Sequence, residues 1–77
     1  MTELTFVVYP KSGERGTRVK GIMVGWTDRQ IIDHLTSACR HTGWMSTQVD
    51  VYRQTPGGWT EPWGEVDLAT GEYRRRS

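Results

Sequence analysis

A chain of 77 residues with 35% apolar content has material for one small core and excludes a second domain. Ten Lys and Arg against nine Asp and Glu give a formal charge of +1, which excludes a global field able to gather nucleic acid or an anionic membrane. A single cysteine, Cys39, excludes an internal disulfide and fits a reducing compartment.

Ordering a chain of this kind costs roughly 1.5 kcal/mol per residue, so nearly every large apolar side chain is needed for the core. The four tryptophans are the one compositional extreme. The start, Met1 to Thr5, lacks a basic segment followed by an apolar run, and no stretch is long enough to span a bilayer. A soluble, unprocessed, cytoplasmic protein is the expectation.

Leu4, Phe6 and Val8 alternate with Thr5, Val7 and Tyr9, a period of two that predicts a strand stopped by Pro10. Lys11 to Gly16 is polar and reads as a mobile hairpin tip. Thr17 to Trp26 predicts a second, antiparallel strand. Its phase brings Val19 to the side of Ile22 and Val24 only if an extra residue enters at Gly21 as a bulge.

Thr27-Asp28-Arg29-Gln30 is a capping box, and Trp26 with Ile31 forms a hydrophobic staple. Ile31, Ile32, Leu35, Ala38, Cys39 and Thr42 fall within about 120° of a helical wheel, opposite Arg29, Asp33, Thr36 and Arg40. A helix is predicted from Asp28 to about His41, with Gly43 in the left-handed position after it and Trp44 folded back on Cys39.

Thr47 to Arg53 alternates again, with Val49 and Val51 on the apolar side, and Thr55-Pro56-Gly57-Gly58 is a turn. Trp59 to Gly64, interrupted by Pro62, reads as an irregular edge segment. A fourth strand follows from Glu65 through Val66 and Leu68, and Ala69-Thr70-Gly71 turns into Glu72-Tyr73-Arg74. Residues 74–77 are expected to form a frayed basic tail. The whole chain, 1–77, thus reads as one α+β domain of ββαββ order, with one helix packed on a mixed four-stranded sheet.

This element order resembles the β-grasp, or ubiquitin-like, superfold, whose families act mostly as binding modules. The chain lacks the Gly-Gly tail of the conjugating and sulfur-carrier members and the several cysteines of the iron-sulfur members, so neither activity carries over. Eight of the ten basic residues are Arg. A short chain with this bias resembles accessory proteins of phages infecting actinobacteria, which implies binding to a host protein.

The residues that could carry chemistry are few. His34, Cys39 and His41 are the only soft metal ligands, but on one helix Cys39 points more than about 130° away from the histidines, so they cannot close on one ion. The same divergence removes a Cys-His nucleophilic pair. No catalytic, metal or cofactor site is therefore expected. Glu61, Glu65, Asp67 and Glu72 form an acidic run without a neighbouring base in sequence, read as a solvated edge.

Trp59 and Trp63, in a segment punctuated by Gly and Pro, are the candidate binding anchors, because aromatic rings bury large area at low entropic cost. A non-enzymatic protein-binding module contacting its partner through Trp59, Trp63, Glu61 and Glu65 is the principal expectation. The alternative is a nucleic-acid binder in which Lys11, Arg15, Arg18 and Lys20 on the first hairpin act with Arg74, Arg75 and Arg76. A homodimer through an open sheet edge or through the tryptophan surface is a further expectation.

Overall fold

The alternation at Leu4, Phe6 and Val8 becomes β1 (Glu3–Pro10) in the computed structural model, which describes residues 3–76. β2 (Thr17–Met23), α1 (Asp28–Ala38), β3 (Gln48–Gln54), β4 (Thr60–Asp67) and β5 (Tyr73–Arg75) follow. The strands form one sheet in the order β2-β1-β3-β4-β5, and all four neighbouring pairs are antiparallel.

This corrects the expected fold in two respects. The sheet has five strands, giving ββαβββ order, and it contains no parallel pair, so it is not the mixed four-stranded sheet of a β-grasp. The cause lies in β1, which pairs antiparallel with β3 from Thr5↔Gln54 to Pro10↔Val49, leaving no place for a parallel partner at the sheet centre.

The bulge at Gly21 is present. Leu4 pairs with Ile22 and Phe6 with Val19, so β2 carries one residue more than β1 over that interval, and Gly21 has φ +87°. Val19 and Ile22 both reach the core as a result, while β2 ends at Met23 and leaves Val24 exposed. From the helix, His34 donates through Nε2–H to the Lys20 carbonyl at 2.8 Å, tying the bulge down.

The capping box forms as the sequence dictates: Gln30 N–H donates to Thr27 Oγ1, and Thr27 N–H to Gln30 Oε1 at 2.8 Å. Ile31, Ile32, Leu35 and Cys39 are buried against Phe6, Val8, Val19, Ile22, Val49, Val51 and Val66. The helix stops at Ala38, about a turn earlier than predicted, with Cys39 as its cap and Ala38 exposed. Gly43 does take a left-handed φ of +72°, and Trp44 packs half-buried against the core cluster that includes Cys39 while its indole N–H donates to the Arg15 carbonyl at 3.1 Å. No helix among the described residues is long and apolar enough to cross a membrane.

The largest departure is β4. The segment expected to be irregular is its first half, and a second bulge makes it one: Val51 pairs with Gly64 and Tyr52 with Pro62, leaving Trp63 as the extra residue. β5 pairs only with Gly64 to Val66, so Pro62 has a strand neighbour on one side alone, where its missing N–H is tolerated. Arg74 and Arg75, expected in a frayed tail, belong to β5, and Arg76 N–H donates to the Trp63 carbonyl. Ser77 lies outside the described residues.

Candidate functional site

The bulge at Trp63 separates the two tryptophans that the sequence groups together. Trp63 turns into the core with 6% of its surface exposed, edge-on to Phe6 with ring centroids 5.8 Å apart. Trp59 is 76% exposed at the tip of the β3–β4 hairpin. The tip is closed by Gly58 N–H to the Thr55 carbonyl and by Thr55 and Trp59 bonding each other: Thr55 N–H reaches the Trp59 carbonyl at 2.7 Å, and Trp59 N–H reaches Thr55 Oγ1 at 3.2 Å. The Trp59 ring lies over Gly57, where a Cβ would come within 3.1 Å of it. The anchor is thus one ring, not two, on a hydrogen-bonded turn.

Glu61 is exposed on the same hairpin, but Glu65 is not an uncompensated acid. Lys11 Nζ donates to Glu65 Oε1 at 3.2 Å and holds Asp50 Oδ1 at 3.2 Å as an ion pair, while Arg76 lies 3.5 Å from the same Glu65 oxygen. The Lys11 hydrogen bond holds the Glu65 carboxyl below its ordinary range, and the bond to Glu65, followed by that to Asp50, holds the Lys11 ammonium above its own. β1 and β4 are two strands apart, so sequence adjacency gives no sign of this pairing.

The basic residues of the alternative reading divide likewise. Lys11 is consumed by Asp50 and Glu65, and Arg75 by Asp28, 2.9 Å away. Arg76 is shared with Glu65. Arg15, Arg18, Lys20 and Arg74 are exposed and make no ion pair among the described residues.

The first hairpin tip is held rather than free. Lys11 N–H donates to the Gln48 carbonyl, Ser12 Oγ to Glu14, Met45 N–H to Glu14 Oε2 at 2.6 Å, and Ser46 N–H to Ser12 Oγ at 3.1 Å. The Ser12 hydroxyl and then the Met45 amide hold the Glu14 carboxyl below its ordinary range. Both outer edges are also poor templates for further strands, since β5 has three residues and β2 is broken by its bulge.

Cys39 is buried, and burial pushes its thiol up, the opposite of what a thiolate nucleophile requires. His34 is committed to the Lys20 carbonyl and His41 is exposed beyond the helix end. Among the described residues no three His, Cys, Asp or Glu side chains converge as a metal set.

Alternation in the sequence puts Tyr9 and Tyr52 opposite the apolar rows of their strands, but it assigns them no role and does not show that the two strands are neighbours. Tyr9 and Tyr52 stand on the side away from α1, on the adjacent strands β1 and β3, with ring centroids 5.6 Å apart in an edge-to-face arrangement. Gly16 makes room for Tyr9, since a Cβ there would fall 2.5 Å from the ring. With Phe6, Val8 and Val51 facing the helix, Tyr9 and Tyr52 must face outward. A scan against protein-family models and searches of curated proteins and of solved structures found no match to this chain, so the resemblances in element order and composition have no relative to rest on.

Proposed function

We propose that the chain is a non-enzymatic protein-binding module whose anchor is Trp59, with Glu61 beside it. The observation that carries this reading is the placement of a 76% exposed indole on a hairpin tip closed by three hydrogen bonds. A ring of this size buries roughly 150–250 Å² when covered, and a tip that is already ordered loses little freedom on binding. In a chain short of apolar material, leaving that area in water forgoes core stabilisation, which a contact with a partner recovers. Trp63 and Glu65 have no part in the anchor, because the first fills the core and the second is ion-paired.

The test is a direct affinity measurement. A partner recovered by cross-linking to the immobilised chain is purified and titrated calorimetrically against wild type and Trp59→Ala. A central anchor is worth at least ~2 kcal/mol, so the variant weakens binding by roughly 30-fold or more. Unchanged affinity in a normally folded Trp59→Ala protein rejects the hairpin tip as the contact surface.

A further inference from the structure

We infer that the uncovered face of the sheet is a separate binding surface for single-stranded nucleic acid, in which Tyr52 and Tyr9 stack on bases and Arg18 and Lys20 hold phosphates. It uses neither the hairpin tip nor the partner class proposed above.

Strand register sets out this face in rows. Arg18, Val7, Tyr52 and Pro62 are successive cross-strand partners over β2, β1, β3 and β4. The row on the Tyr9 side carries Asp50, Glu65 and Arg74, and the row on the other side carries Thr5, Gln54 and Thr60, with Lys20 leading into the bulge of β2. The middle row is therefore an aromatic and aliphatic stripe with a guanidinium at its β2 end. Tyr9, 45% exposed, borders it from above, and Pro62 is exposed at its far end.

Charge distinguishes the occupant. The acids of this face that border the stripe, Asp50 and Glu65, are bound by Lys11, and Arg76 adds to Glu65. Glu3, at the opposite corner, accepts from the Gly21 amide at 2.9 Å. Arg18 and Lys20 are exposed and have no carboxylate partner among the described residues, so the β2 flank presents two unmatched positive charges beside the stripe. Aromatic rings on central strands of an antiparallel sheet, bordered by basic side chains, match the chemistry of an unpaired strand. Its bases expose π-faces and its phosphates lie to one side. A duplex hides those faces, so it is excluded from the proposal.

The probes are fluorescein-labelled oligo-dT and oligo-U of about 12 nucleotides, read by anisotropy over a salt series, with a duplex of the same length as control. Both single strands bind at low salt and the duplex binds more weakly. Tyr52→Leu, which keeps apolar bulk without the ring, weakens single-strand binding roughly tenfold. The double variant Arg18→Ser/Lys20→Ser, at exposed positions with no ion-pair partner among the described residues, lowers the salt slope by about 1.4. Trp59→Ala leaves the affinity unchanged, which separates this surface from the hairpin anchor. The inference is overturned if no single strand binds at low salt, or if the duplex binds as tightly. It is equally overturned if both the Tyr52 and the charge variants bind like wild type, or if Tyr52→Leu abolishes capture of a protein while oligonucleotide binding stays intact.

Discussion

The guanidinium of Arg75 lies 4.4 Å from the centroid of the Trp63 ring, and its two ends are held apart: Nε–H donates to the Trp63 carbonyl at 3.1 Å and a terminal nitrogen meets Asp28 Oδ1 at 2.9 Å. One side chain thereby ties the last strand to β4 and to the first turn of the helix. Tyr73 stacks on Trp63 with centroids 6.3 Å apart, and Arg29 lies 5.7 Å from the Tyr73 ring while donating to the Gly71 carbonyl. These alternating cations and rings close the core where a three-residue strand has little backbone pairing to offer.

Arg75→Ala is expected to destabilise the fold by ~1–2 kcal/mol, from the lost cation–π contact and carbonyl hydrogen bond, with little from the half-exposed ion pair itself. Arg75→Lys restores only part of this, because an ammonium cannot cover the ring and serve both acceptors in one plane. Urea unfolding checks it. Wild-type stability in Arg75→Ala would mean that the clamp contributes nothing.

The two hairpin tryptophans should respond oppositely to truncation. Trp63→Ala opens the core and is expected to cost ~3–5 kcal/mol, whereas Trp59→Ala stays within about 0.5 kcal/mol of wild type. Acrylamide quenching of the tryptophan emission gives an independent reading. Trp59→Ala removes most of the readily quenched component, and a quenching curve unaltered by that substitution contradicts the exposure difference.

Gly64 is required by close approach rather than by backbone angle. A Cβ there would stand 2.5 Å from the Arg74 carbonyl oxygen and 3.1 Å from the Arg75 Cα, both backbone atoms of the neighbouring strand. Gly64→Ala is expected to displace β5 and destabilise by ~2–3 kcal/mol. Hydrogen exchange localises the effect: amide protection falls at Arg74 and Arg75 before it falls in β1 and β3. Uniform loss across the sheet would argue against a local clash.

Stability should fall at the acid end through Glu65 and Glu14 and at the alkaline end through Lys11. Glu65 has a folded pKa lowered from its ordinary 4.5, so its contribution is present above that value and lost as pH drops through the lowered one. Glu14 acts in the same direction through Ser12 and the Met45 amide. Lys11 has a folded pKa raised from 10.5, so its contribution is intact below 10.5 and lost as pH rises through the raised value. Lys11→Met should flatten the alkaline limb and the Glu65 part of the acid limb, while leaving the Glu14 part. Identical urea-midpoint profiles for wild type and Lys11→Met would refute the pairing.

The helix start shows what local sequence can specify. The box at Thr27 and Gln30 needs only groups three residues apart, and it forms as written. The bulge at Gly21 was legible for a related reason: Val19 and Ile22 cannot share a face without it, and a glycine stood where the extra residue had to go. The helix ends before its apolar stripe does: Thr42 continues the stripe in sequence, yet the chain leaves the helix at Cys39, and beyond it Trp44 donates to the Arg15 carbonyl, a contact 29 positions away that the local pattern does not contain.

An α+β chain of alternating strands with one capped helix is legible in the order of residues, because period, caps and turns depend on neighbours within a few residues. Only the folded chain brings Lys11 to Glu65, 54 positions away, sends Trp63 into the core while Trp59 stays out, and sets the outward-facing Tyr9 and Tyr52 side by side on neighbouring strands. Each of these follows from strand order and from a one-residue slip in register. Pairing between distant strands is set by which arrangement buries the whole apolar set at once, a condition on the complete chain that no local window contains.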